Sequence, residues 1–175
     1  MPNHCENHTY VYGPKDALLY FANAIKFGKE DMGIADNLIP CPPELRENDG
    51  WYNWCIGNWG TKWGDYEHQQ IHDVADITDS IQLEYTTAWG PLGPQFWERV
   101  SRNFPTLLFV TTFEEGGMAF SGAIAARNGA VTEIDGTYPD GPDDWQDADA
   151  IDAYYDRLSE MRDDLHAAGC RLLRL

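Results

Sequence analysis

Positive charge is scarce in this chain. Twelve Lys and Arg stand against 29 Asp and Glu, a formal net charge of −17 over 175 residues. That balance repels bare phosphate backbones and anionic membranes, which argues against direct nucleic-acid and membrane binding. Long apolar runs are also missing: none approaches the roughly 20 residues that span a bilayer. The opening MPNHCENHTY lacks the basic and apolar parts of a secretory leader, so a cytoplasmic protein is expected. Cysteine is sparse. Cys5, Cys41, Cys55 and Cys170 form no CxxC and fit no zinc spacing, so buried free thiols are expected rather than disulfides. GNWGTKWG lacks the GK[ST] ending of a phosphate loop, and no Ser/His/Asp arrangement stands out. Neither an enzyme nor a cofactor is called for.

The remaining composition, 43% hydrophobic and 13% aromatic, is that of a globular chain with a real core. VYGPKDALLYFANAIKF opens on a Gly-Pro start signal and puts Ala17, Leu18, Phe21 and Ile25 on one helical face. His8 to Tyr12 before it read as a short strand. Residues 28–50 are rich in Gly, Pro and charge and read as loop or extended chain. IQLEYTTAW alternates strictly, with Ile81, Leu83, Tyr85, Thr87 and Trp89 on one face, as a half-buried strand does. VADITDS reads as its neighbouring strand and turn. A helix then begins near Pro94, buries Phe96, Trp97 and Val100, and is stopped by Pro105. TLLFVTTFEE is the next strand, and MAFSGAIAARNGAVTEIDG a hairpin turning at Arg127-Asn128-Gly129.

This order predicts an α+β fold, a ferredoxin-like antiparallel sheet with two helices on one face, a Trp-rich insertion at about 28–73 and an extra hairpin. The ferredoxin-like part is expected over 1–135, with an acidic linker and amphipathic helix over 136–175. In that last segment Ala148, Ile151, Tyr155, Leu158, Met161 and Leu165 form an apolar stripe, and Gly169 is placed to end the helix. The stripe docks the helix on its own sheet or on a second copy. From Asp135 to Asp164 there are eleven acidic and two basic residues.

Five stretches, MPNHCEN, NLIPCPPEL, WYNWCIGNWGTKW, TAWGPLGP and FEEGGMAFSG, together resemble the ordered motifs of the YubB ferredoxin-like family. The typical tryptophan of the opening motif is replaced by His4. The resemblance implies a ferredoxin-like fold and a habitat in phages, plasmids and other mobile elements; it implies no mechanism.

Candidate sites follow from chemistry. Four of the seven tryptophans fall within thirteen residues, so Trp51, Trp54, Asn58, Trp59, Lys62 and Trp63 are candidate ligand-binding residues for a nucleotide or sugar. The bland alternative is that these rings cover the open face of the sheet. Asp149, Asp152, Asp156 and Asp163 form a candidate partner-binding row. His68 and His72, four apart in DYEHQQIHD, are weak metal candidates if that stretch is helical, because the glutamate of HExxH is missing. Glu114 and Glu115 face opposite ways on a strand and cannot form one acid–base pair. The leading expectation is a non-enzymatic accessory protein of a bacteriophage or mobile genetic element. It would bind a host or viral protein with a basic surface, in its sharper form as an acidic DNA mimic with an anti-defence role. A nucleotide- or sugar-binding enzyme or sensor and a homo-oligomeric virion component are the alternatives.

Overall fold

The computed structural model describes residues 3–25, 33–70 and 77–173, and of 68–70 the backbone alone. The elements in order are β1 (His4–Tyr12), α1 (Lys15–Ile25), α2 (Ile34–Leu38), α3 (Pro43–Arg46), α4 (Gly50–Trp59), β2 (Asp65–Gln70), β3 (Ser80–Ala88), α5 (Pro94–Asn103), β4 (Leu108–Glu115), β5 (Phe120–Arg127), β6 (Ala130–Asp135) and α6 (Ala148–Leu172). Among the described residues the sheet is antiparallel with strand order β2-β3-β1-β4-β5-β6. Strands β2, β3, β1 and β4 with α1 and α5 make the ferredoxin-like unit. The β5–β6 hairpin extends it, turning at Asn128 and Gly129, both in the left-handed region.

The two sheet faces carry different cores. Val11, Ile81, Leu83, Tyr85, Phe109 and Ile124 point to the face covered by Leu18 and Phe21 of α1 and Phe96, Trp97 and Val100 of α5. Thr9 and Thr111, buried in the same face, share a hydrogen bond at 2.8 Å, and Tyr85 joins Thr9 at 3.0 Å. The opposite face presents Leu108, Val110 and Ala125, and these pack with Cys170 of α6. All four cysteines are free and buried, as expected.

Several expectations need correction. The Trp-rich stretch does not lie over the open sheet face; that face is covered by α6, while Trp59 joins the helical-face core. Residues 28–50 were expected to lack helices, yet α2 and α3 form. The cap of α2 arrives from 30 residues away: Asp65 accepts from the N–H groups of Ile34 and Ala35 at 2.7 Å each. A distant cap leaves no local signal. The strand beside β3 is Asp65–Gln70 and not VADITDS, of which residues 74–76 lie outside the described residues. Trp89 leaves the β3 alternation: it is 52% exposed, with φ +71°.

In α6, Asp147 caps the N-terminus, accepting from Asp149 and Ala150 N–H. The inward residues are Tyr154, Leu158 and Leu165, whereas Tyr155, expected in the stripe, is exposed. Tyr154 wins the place by a 3.0 Å hydrogen bond to the Tyr138 hydroxyl. Gly169 does not end the helix. It lies inside α6, where an added Cβ would come within 2.7 Å of Val110 Cγ1. A glycine there lets helix and sheet approach closely, at the cost of helix propensity. The stripe is thus used on the chain's own sheet, and no second copy is needed to cover it.

Substituting Gly169→Leu should push α6 off Val110 and cost about 1–3 kcal/mol by overpacking. Urea unfolding checks this; an unchanged midpoint would contradict the close packing.

Candidate functional site

The five motif stretches meet in space. Trp59 Nε1 at the end of α4 donates to the Ile39 carbonyl of NLIPCPPEL at 2.9 Å. The Trp59 carbonyl accepts from Gly93 N–H of TAWGPLGP at 2.7 Å, and Thr61 Oγ1 donates to the Ala88 carbonyl at 2.8 Å. Trp89 N–H donates to the Asn3 carbonyl at 3.0 Å, and Asn3 Nδ2 to Glu115 Oε2 at 3.3 Å. Glu115 also accepts from Gly117 and Met118 N–H at 2.7 and 2.8 Å, holding the turn of FEEGG. One hydrogen-bonded chain therefore ties the ends of β1, β3 and β4 to α4.

Helix α4 explains how the tryptophans are placed. Gly60 ends it in the left-handed region, φ +82°, its N–H bonded to the Cys55 and Ile56 carbonyls. Trp51, Cys55 and Trp59, at steps of four, turn inward; Trp59 is buried, and Trp54 meets it edge to face at 5.3 Å. Burying a ring of this size contributes up to about 3 kcal/mol.

Two cavities flank this segment. One, about 310 Å³, lies between α2, α3 and α4, lined by Trp51, Trp59 and Trp63 with Asp36, Arg46 and Cys55. Asp36 and Arg46 are ion-paired there, and burial pushes the Cys55 thiol up to about 12, so it stays protonated. The other, about 530 Å³, lies between α4 and the TAWGPLGP loop, lined by Tyr52, Ile56, Lys62 and Trp89. Lys62 Nζ lies 4.6 Å from the Trp63 ring centroid and 5.9 Å from that of Tyr52. Trp89 holds a left-handed backbone at a cost on the order of 1–2 kcal/mol.

The six residues expected to bind a ligand are thus divided. Trp51, Trp59 and Trp63 line the first cavity and Lys62 the second. Trp54 and Asn58 line neither: Trp54 is packed against Trp59, and Asn58 is held by the Trp54 carbonyl and Arg99. Sequence reasoning missed Trp89, which it assigned to the core, and Tyr52 and Ile56, whose exposure follows from the helical spacing of α4. His68 lies on a strand, so the helical premise of the His68/His72 pair fails, and His72 lies outside the described residues. Among the described residues no group of three or more metal-ligating side chains is assembled.

Glu114 and Glu115 do face opposite sides. Burial raises the Glu114 pKa, against the lowering effect of Arg162, whose Nε is 3.7 Å away. Arg162 also donates to His8 Nε2 at 3.2 Å, which leaves the His8 proton on Nδ1, facing Glu84 at 3.4 Å. Burial, and then Arg162, hold the His8 imidazole below its ordinary range. Cys5, on the opposite face of β1 from His8, is fully buried and pushed up to about 12 by that burial.

In comparisons with known proteins, no family model matches the chain, and no curated protein matches its sequence. The fold resembles the crystal structure of a protein api92 from Yersinia pseudotuberculosis, assigned to the family model DUF1281. The two superpose with a TM-score of 0.58 at 8% identity, over 81% of this chain and 100% of that one. At that identity the likeness supports the α+β fold alone. No helix among the described residues is long and apolar enough to cross a membrane.

His8 supplies a pH test. Its proton affinity is lower folded than unfolded, so its contribution to stability is complete above about pH 6.5 and is lost as pH falls below that. Glu114, raised by burial, acts in the opposite sense: its contribution is present at low pH and lost as pH rises through the raised value. Comparing wild type with His8→Gln isolates the histidine. From pH 7.5 to 5 the wild type should lose thermal stability relative to the variant. A difference independent of pH would contradict the assignment.

Proposed function

We propose that this protein is a non-enzymatic accessory protein of a phage or other mobile element that binds a basic protein through the acidic face of α6. The observation that carries this reading is the disposition of charge. All eleven acidic residues from Asp135 to Asp164 are exposed, while the two arginines among them engage the chain itself. Arg157 donates to the Asp140 carbonyl, and Arg162 turns inward to His8 and Glu114. The outward face therefore carries eleven carboxylates against the one exposed guanidinium of Arg157.

Asp149, Asp152, Asp156 and Asp163 share one side of the helix, opposite Leu158 and Leu165. At 1.5 Å per residue the row extends about 21 Å, comparable to the rise of about six base pairs. This supports the sharper form of the reading, a mimic of DNA phosphates directed at a nucleic-acid-binding defence protein. The resemblance to the YubB family supports the habitat. The net charge also disfavours direct contact with nucleic acid or an anionic membrane, and a cytoplasmic location suits the four free thiols.

The test is capture from host lysate at graded salt, with Asp149, Asp152, Asp156 and Asp163 replaced together by Asn. All four are exposed, so the variant should fold. Wild type should retain a basic protein that salt releases and DNA competes away, and the variant should lose it. Retention unaffected by the four substitutions would sink the reading.

A further inference from the structure

The cavity between α4 and the TAWGPLGP loop has features that neither packing nor the acidic helix accounts for. Trp89 is half-exposed, so the core does not explain it, and its φ of +71° is a conformation that glycine or asparagine would adopt more readily. Its place is nevertheless rigidly held, by its own N–H on Asn3 and by the bond between Thr87 Oγ1 and the Gly90 carbonyl at 2.7 Å. Across the cavity, α4 exposes Tyr52 and Ile56. Lys62 is the single charged residue of the lining. Arg46, Arg102 and Arg162 have carboxylate partners, whereas Lys62, in a chain of net charge −17, has none among the described residues and rests on aromatic rings.

We infer that this cavity binds a small planar ring bearing one acidic group, with Trp89 and Tyr52 contacting the ring and the Lys62 ammonium pairing the acid. The volume of about 530 Å³ falls within the range of small-molecule sites and suits a ligand the size of a mononucleotide. Ring stacking is tolerant of ring identity, and a lysine is a point charge that does not distinguish carboxylate from phosphate. The site therefore selects the combination of ring and acid, not one base. Polyanions are disfavoured by the chain's own field. The inference is independent of the α6 reading.

Tryptophan fluorescence titrations at fixed ionic strength test it, using adenosine monophosphate, benzoate, adenosine and inorganic phosphate. The monophosphate and benzoate should saturate, phosphate alone should not, and adenosine should bind about fivefold more weakly or less than the monophosphate. Lys62→Met should abolish the preference for monophosphate over adenosine. Trp89→Gly should weaken ring binding by about tenfold or more while leaving the thermal midpoint unchanged or raised, because glycine relieves the left-handed backbone. A merely structural Trp89 would instead lower the midpoint and leave binding intact. That outcome, an undiminished preference in Lys62→Met, or no response to either ring acid would overturn the assignment; the last would leave the aromatic patch as a protein-docking surface.

Discussion

Gly60 and Gly93 meet backbone to backbone. A Cβ on Gly60 would lie 2.8 Å from both Cα and N of Gly93, so no side chain fits on Gly60 there. This approach lets the Trp59 carbonyl reach Gly93 N–H and lets Thr61 reach Ala88. Through those bonds α4 is fixed to the end of β3, and with it both cavities and the rings around them. Trp59, buried and bonded to the Ile39 carbonyl, anchors the tryptophan helix in the core, and the glycine contact fixes its end against the TAWGPLGP loop. Trp59 packs beside that contact, whereas Trp89 is held by Asn3 and by the Thr87–Gly90 bond.

The other side of the molecule is organised by α6. Near its C-terminal end Cys170 packs on Val110, Leu108 and Ala125, with Gly169 permitting the close fit. One of its arginines reaches inward to a polar strip of the sheet, where His8 and Glu114 are partly or wholly removed from water. The consequence is a division of charge: Arg162 faces in, while the eleven carboxylates from Asp135 to Asp164 face out. Desolvation of that strip makes docking sensitive to protonation, while the outward face keeps the long-range field on which partner binding would rest. The aromatic cavity lies on a different part of the fold, so a ligand there and a partner on α6 could be bound together.

Much of this was legible where local chemistry decides. The alternation of Ile81, Leu83, Tyr85 and Thr87, the proline-started α5 and the Asn-Gly hairpin each carry their signal within a few residues, and each forms as read. What escaped depended on distant partners. Asp65 caps a helix 30 residues upstream, Asn3 holds Trp89 out of its alternation, and a glycine that resembles a stop instead lies within the last turn of α6, close against Val110. Tyr154 and Tyr155 are adjacent and chemically alike; Tyr154 is the one that meets the Tyr138 hydroxyl and the Trp145 ring. For the site, the tryptophan cluster was evident, but its division between two cavities follows from a helix whose spacing of Trp51, Cys55 and Trp59 before Gly60 was present in the sequence and was not used.

Locking of the tryptophan helix onto the TAWGPLGP loop by the Gly60–Gly93 approach can be measured at single amides by native-state hydrogen exchange. The Gly93 N–H, bonded to Trp59, and the Trp89 N–H, bonded to Asn3, should be protected nearly as well as the amides of central strand β1. Exchange of both at the rate of an open loop, with β1 still protected, would contradict it.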